Sequence, residues 1–243
     1  MELSYLVLFY LFLSSFLAGF SKTSVGGLGI IVVLLMALAF DAKTSVGILL
    51  PMLIVADAFA VFYYKKDCDY ALLKKIFPTT ALGVVLGYFI MDNLDKDIFE
   101  KTLGFVILLM LLLGAYLENK TIKPYQNNII LIVVGLGAGI ATMLANAAGP
   151  LLAIYFLQLG LNKNTFVGTR SMYFLILNLF KLPFSAGLGL ITLETLTLNM
   201  YFIPVIVLGA YFGIKFLKMI NMSIFKTLIR FASVIVALKF LLF

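Results

Sequence analysis

The sequence GFSKTSVGGLG, residues 19–29, interrupts an apolar region that otherwise runs from Leu3 to Phe40. A related stretch, GAGIATMLANAAGP at residues 137–150, interrupts a second apolar region between Asn128 and Leu161. The uninterrupted pieces are mostly shorter than the roughly 20 residues that a perpendicular membrane helix needs. We therefore expect each Gly-rich stretch, called a break below, to end one helix and to start another. A simple membrane anchor would need no such breaks.

The composition indicates that most of this chain is surrounded by lipid. Of its 243 residues, 63% are hydrophobic and 12% are charged, and the mean hydropathy is +1.14. Soluble domains carry roughly 45–50% apolar and about 25% charged residues. The net charge of +7 fits lysines and arginines on the cytoplasmic side of a membrane, so nucleic acid is not an expected partner.

Several kinds of site are excluded by residue types that the chain lacks. There is no histidine, and Cys68 is the single cysteine. Histidine-ligated metals, Ser-His-Asp catalysis and an internal disulfide are thereby excluded, and we expect no cofactor. The first break does not fit the Walker A pattern of nucleotide-binding proteins. The N-terminal apolar segment carries Glu2 where a signal peptide would carry lysine, which favours a first membrane helix.

The hydropathy pattern predicts an all-α polytopic bundle of about eight to ten transmembrane or half-spanning helices. We divide it into an N-terminal membrane repeat at residues 1–118, a cytoplasmic linker at 119–127 and a C-terminal membrane repeat at 128–243. The ten apolar segments are Leu3–Phe20, Val25–Phe40, Thr44–Tyr64, Ile76–Met91, Ile98–Leu117, Asn128–Ala145, Ala147–Leu161, Thr165–Gly187, Leu198–Ile214 and Ile224–Phe243.

The two halves have matching residues in the same order. Gly83 and Gly87 recur 126 residues later as Gly209 and Gly213. The lysine-rich loop at residues 65–75 is expected on the cytoplasmic side, with both termini outside. The other odd-numbered loops are then cytoplasmic too, and their basic residues, Arg170 among them, lie inside or just at the inner face. Because each half has five segments, the second half would then be inverted relative to the first. Inverted repeats are typical of transporters, with the solute site near the midplane.

The breaks are the predicted substrate site. Helix N-termini at a break would expose unpaired N–H groups and a partial positive charge, which favour an anion. The glycines of the breaks would let the backbone approach the ligand closely. Close packing of helices is the alternative role for these glycines. The candidate residues are Ser21, Lys22, Thr23, Ser24, Gly26, Gly27, Asn146 and Gly149.

Two ionisable residues lie inside apolar segments, where burial of a charge costs at least ~2.5–3.5 kcal/mol. Asp57 matches Asn178 at a separation of 121 residues, and Lys181 lies one helical turn beyond Asn178. We expect Asp57, Asn178 and Lys181 to face a cavity between the halves. A purely structural ion pair, or a Lys181 side chain that extends to the interface, is the alternative.

The order and spacing of several motifs resemble those of the TauE/SafE sulfite-exporter family. The motifs are GFSKTSVGG at residues 19–27, Asn146-Ala147-Ala148-Gly149-Pro150 with Tyr155, Lys163-x-x-Phe166-Val167-Gly168-Thr169, and Asn178-x-x-Lys181-x-Pro183-Phe184. The resemblance covers nearly the whole chain. It implies a multi-pass inner-membrane permease for sulfite, sulfonates and related sulfur or carboxylate compounds, and it adds Pro150 and Thr169 to the candidate residues.

Three functional classes follow from these observations. A secondary transporter of a small anion is the leading hypothesis, with H⁺ or Na⁺ as the coupling ion and Asp57 as the carboxylate that could carry it. A passive anion channel is the second, because inverted repeats also occur in channels. An enzyme is disfavoured, because Ser21 and Lys22 are adjacent on a helix and do not face each other.

Overall fold

The computed structural model describes residues 4–26, 28–118 and 128–229, and this part of the chain is all-α. The linker at 119–127 and most of the tenth predicted segment lie outside the described residues. Residues 222–229 are helical as well. The nine numbered helices are α1 (Tyr5–Thr23), α2 (Gly29–Ala39), α3 (Ala42–Tyr64), α4 (Tyr70–Asp92), α5 (Lys96–Glu118), α6 (Asn128–Ala145), α7 (Gly149–Gln158), α8 (Lys163–Gly187) and α9 (Leu193–Met219), with a 3₁₀ turn at Lys65–Asp67 between α3 and α4.

Short polar loops set the starts of the long helices by side-chain capping. The Asp41 carboxylate accepts from the Thr44 N–H at 3.2 Å and begins α3. The Asn162 side chain accepts from the Thr165 N–H at 2.9 Å and begins α8. Such caps satisfy N–H groups that have no partner inside the helix. The two capped helices begin at matching positions of the two halves.

The helices divide into long spans and short pieces. Five of the described helices, α1, α3, α4, α6 and α9, are long and apolar enough to cross a membrane. At 1.5 Å per residue, the 11 residues of α2 and the 10 of α7 cover about half of a bilayer core. The predicted helical, multi-pass membrane architecture is therefore confirmed, and α2 and α7 are its half-length members.

The first and fourth helices of the two halves pack against each other in a reciprocal way. The largest interfaces lie between α1 and α9 and between α4 and α6, which join the first helix of each half to the fourth helix of the other. Gly83 of α4 packs against the Leu136 carbonyl of α6, and Gly209 of α9 packs against the Phe16 carbonyl of α1. A Cβ at either glycine would overlap that carbonyl. The same close contact thus occurs twice, at positions that the sequence already matched.

The third helices of the two halves, α3 and α8, meet at the centre of the bundle. Gly47 near the start of α3 packs against the Leu190 carbonyl just beyond α8, and Gly168 near the start of α8 packs against the Tyr64 carbonyl at the end of α3. The two helices therefore run antiparallel. This is the arrangement expected of a two-fold axis between the halves, and the inversion of the halves across a membrane stays a prediction.

The breaks are shorter than the sequence suggested. Helix α1 continues to Thr23 and α6 continues to Ala145, so only residues 24–28 and 146–148 separate the paired helices. Gly139 lies inside α6, where its backbone packs against the Thr80 carbonyl of α4. Glycines permit this close approach between helices, so packing explains Gly139 and the first part of each Gly-rich stretch.

Candidate functional site

The short helices α2 and α7 both start at the centre of the bundle without side-chain caps. Their N-cap residues, Leu28 and Ala148, make no side-chain hydrogen bond to the first turn. The second break is fixed by Asn146, which has a φ of 53° and donates from Nδ2 to the Val46 carbonyl at 3.1 Å. Asparagine tolerates this left-handed conformation better than most residues. Each break therefore directs helix N–H groups into the interior of the protein.

Asp57 of α3 is held from both halves of the chain. Lys22 Nζ lies 2.8 Å from Asp57 Oδ1 and 2.9 Å from Oδ2, and Asn178 Nδ2 donates to Oδ2 at 2.8 Å. The Asp57 side chain is fully buried, whereas about 10% of the Lys22 side chain is exposed. The Phe174 ring lies against Lys22 Nζ, 4.0 Å from the ring centroid, in a cation–π contact.

The pairing of the buried charges differs from the sequence prediction in one respect. Asp57 and Asn178 do meet, but the ammonium on Asp57 belongs to Lys22 and not to Lys181. Lys181 Nζ instead donates to the Thr142 carbonyl at 2.6 Å and to Asn146 Oδ1 at 2.5 Å. Lys181 is fully buried, so these neutral oxygens replace the water that an ammonium would otherwise need.

Arg170 of α8 joins the second half to the first break. Its Nη2 donates to the Ser21 carbonyl at 2.6 Å and to the Lys22 carbonyl at 2.9 Å. These carbonyls belong to the last turn of α1, where a positive charge is favourable. The guanidinium also packs directly against Gly26, where a Cβ would overlap Nη1. Arg170 Nε is buried and has no hydrogen-bond partner among the described residues.

These elements surround a small cavity of about 30 Å³. The Lys22 and Arg170 side chains supply basic groups, and the glycines at or beside the starts of α2 and α7 supply exposed backbone. Asn178 lines the same cavity and has a buried Oδ1 without a partner in the described part of the chain. The lining residues are Ser21, Lys22, Gly26, Gly29, Leu53, Thr142, Asn146, Gly149, Arg170, Phe174 and Asn178.

The structure brings some of the predicted residues to the cavity and places others elsewhere. Asp57 and Lys181 were expected to face the cavity, but neither is among its lining residues. Thr23 Oγ1 donates to the Ala210 carbonyl at 3.0 Å and belongs to the α1–α9 interface. Ser24 donates to the Phe20 carbonyl at 2.5 Å. Thr169 Oγ1 accepts from the Asp69 N–H at 2.8 Å and so fixes the loop before α4. Pro150 is buried in the first turn of α7, and Gly27 lies outside the described residues.

Arg170 lies deeper than the loop charges predict, since they place it at the inner surface with the other basic residues. Only 2% of it is exposed. The helical period gives the missing signal, because Arg170, Phe174, Asn178 and Lys181 are spaced by four, four and three residues. Residues with that spacing share one helix face. The same polar face explains why α8, at 25 residues, is not among the five apolar spans.

The buried charges of the described residues are unbalanced. Lys22, Arg170 and Lys181 are buried, and Asp57 is the single buried acid among the side chains that the structure describes. The described residues contain no group of three or more histidine, cysteine or acidic side chains that could hold a metal ion. Basic side chains, uncapped helix starts and an amide are the groups that bind an anion.

Comparison with known proteins agrees with this chemistry. The family model described as "Sulfite exporter TauE/SafE" matches residues 11–240, which is nearly the full length of the chain. No curated protein and no solved structure matches. The family match covers both breaks, Asp57 and the polar face of α8. The chain is therefore a multi-pass cell-membrane protein that belongs to the TauE/SafE sulfite exporter family.

Proposed function

We propose that this protein is a secondary transporter that binds a small anion in the cavity between the two breaks. Its substrates are sulfite, an organosulfonate or a related sulfur or carboxylate compound, in keeping with the family. The observation that carries the proposal is the cavity itself, in which Lys22 and Arg170 lie beside two uncapped helix starts.

The arrangement supports a carrier because its two sides come from different halves. Lys22 and Gly26 belong to the first half, whereas Asn146, Arg170 and Asn178 belong to the second. Rocking of one half against the other would expose such a site alternately to each side of the membrane. The contacts between α3 and α8 are those expected of inverted repeats, which is the geometry that alternating access uses.

A flux assay in proteoliposomes tests the proposal. We expect saturable uptake and exchange of labelled sulfite or methanesulfonate, with acetate as a carboxylate comparison. Lys22→Met should reduce anion affinity at least tenfold, because it removes the only ammonium that lines the cavity among the described residues. Lys74→Met, an exposed lysine of α4, is the matched control and should transport like the wild type.

Two outcomes would contradict the proposal. A Lys22→Met variant that folds normally and transports with unchanged affinity would show that the anion does not bind in this cavity. Flux that never saturates and shows no exchange of internal for external anion would indicate a passive channel.

A further inference from the structure

We propose that Asp57 competes with the transported anion for Lys22, so that each anion binds together with one proton and the protein is an anion–proton symporter. This inference rests on the proposed function, since it requires an anion to enter the cavity beside Lys22. It adds the coupling ion, its binding residue and its stoichiometry.

The geometry places Asp57 where a bound anion would also be attracted. Both Asp57 oxygens lie within 3 Å of Lys22 Nζ, at 2.8 and 2.9 Å. Lys22 lines the cavity and Asp57 does not, and Asp57 is fully buried, so an anion in the cavity meets Lys22 and not the carboxylate. The Asp57 carboxylate forms an ion pair with the Lys22 ammonium while no anion is bound in the cavity.

An anion on Lys22 brings a second negative charge close to the Asp57 carboxylate in a site with little water. Two like charges at such a distance disfavour each other, and protonation of one of them removes the conflict. The proton adds to an Asp57 oxygen, Lys22 remains an ammonium paired with the anion, and release of the anion returns the proton. No other covalent change and no further reactant are needed.

Asp57 is the single buried carboxylate among the side chains that the structure describes. Lys22 of α1 and Asn178 of α8 contact it directly, while Arg170 and Lys181 of α8 are the other charges that act on it. The other acids whose side chains are described are exposed or half-buried and lie outside this cluster. Asn178 occupies the position that matches Asp57 in the second half, and an amide cannot ionise. One carboxylate for two matching positions gives one proton per anion.

Asn178 also shows how the protonated state would be accommodated. Its Oδ1 is buried without a hydrogen-bond partner among the described residues, although a buried acceptor is normally satisfied. A protonated carboxyl becomes a donor. The amide that donates to Asp57 at 2.8 Å therefore carries an unused acceptor that a rotated side chain could offer to the new O–H.

The first test uses the wild-type protein in detergent, so it needs no variant to fold. Methanesulfonate is added in weakly buffered solution near neutral pH, and proton uptake is measured together with anion binding. Methanesulfonate stays ionised there, so any proton taken up enters the protein. We expect close to one proton per anion bound. Binding without proton uptake would overturn the symport mechanism and would leave the proposed function intact.

The second test uses proteoliposomes with a pH gradient of one unit, alkaline inside. A symporter with one proton per monoanion should accumulate methanesulfonate up to tenfold. Asp57→Asn should retain exchange of internal for external anion but should show no accumulation and no pH dependence of binding. Asp67→Asn, an exposed acid in the 3₁₀ turn, is the matched control and should accumulate like the wild type.

The outcomes separate the two proposals. Accumulation by Asp57→Asn that equals the wild-type value would refute the coupling role of Asp57 while anion transport stands. A wild type that neither binds nor exchanges methanesulfonate or sulfite would refute the proposed function, and the symport mechanism with it.

Discussion

Substitution of Gly26 by alanine should disconnect Arg170 from the first break. The Cβ would overlap Nη1 of the Arg170 guanidinium, so this side chain must move. Arg170 is only 2% exposed, and its Nη2 is bound to the Ser21 and Lys22 carbonyls. Movement away from the new methyl group therefore loses those hydrogen bonds and disturbs the end of α1.

The expected magnitude follows from the number of bonds. Hydrogen bonds from a charged group contribute ~1.5–3 kcal/mol each, so complete loss of both would cost about 3–6 kcal/mol. A guanidinium has five N–H donors and can recover part of this loss with other oxygens. We expect Gly26→Ala to destabilise the protein by about 2–4 kcal/mol, and to weaken sulfite exchange because Lys22 lies on the disturbed turn.

Gly29→Ala is the matched control, since it lines the same cavity and a Cβ there would meet nothing within 4 Å. The assay is thermal unfolding in detergent, combined with a double-mutant cycle that includes Arg170→Met. Without the guanidinium, the extra methyl at Gly26 should cost less than about 1 kcal/mol. Additive effects of the two substitutions, or equal stability of Gly26→Ala and Gly29→Ala, would refute this reasoning.

Two further predictions concern the loop before α4 and the contacts between the halves. Burial raises the pKa of the Cys68 thiol to about 11. Alkylation of Cys68 by a maleimide should therefore be slow near neutral pH, and its rate should rise about tenfold per pH unit up to that pKa. A rate that does not change with pH would contradict this. Gly83→Ala and Gly209→Ala should each lower the unfolding temperature, because each added Cβ overlaps a backbone carbonyl of the facing helix. Gly187→Ala, with nothing within 4 Å, should not, and a loss confined to one of the two substitutions would argue against equivalent contacts.

Hydropathy and internal matching predicted the helices and the central meeting of Asp57 with Asn178. The helices follow from long apolar runs. The meeting of Asp57 with Asn178 follows from their constant separation of 121 residues, which puts them at matching positions of the two halves. The partner of Asp57 could not be obtained in this way. The sequence predicts both Lys22 and Lys181 at the site between the halves. Which of them contacts Asp57 depends on how α1 packs against α3 and α8.

Arg170 shows a different limit of the sequence analysis. Counting basic residues by loop assigns every lysine or arginine near a helix end to the membrane surface. Arg170 lies only two turns into α8, so the rule placed it outside the core. Its burial depends on Gly26, which leaves room for the guanidinium, and on two carbonyls of α1. These partners are far away in sequence, and only the folded chain shows that they converge.

The central charges differ between the two halves of the chain. In the first half, Lys22 extends from the broken helix α1 to an acid on α3. In the second half, the corresponding turn of α6 carries Thr142, and the ammonium comes from Lys181 on α8 instead. Each break thus has an ammonium nearby, while the one buried carboxylate among the described side chains belongs to the first half. The Lys22–Asp57 ion pair therefore has no counterpart among the described residues of the second half, and this pair is where proton coupling would reside.

A single coupled proton has different consequences for anions of different charge. A monoanion with one proton carries no net charge, so it follows its own gradient and the pH gradient. A dianion such as fully ionised sulfite leaves one net negative charge on the complex. A potential of 100 mV, negative inside, drives that charge outward with ~2.3 kcal/mol, whereas an opposing pH difference of one unit supplies about 1.4 kcal/mol. The same carrier would then export a sulfite dianion and take up a sulfonate, so direction would follow from substrate charge.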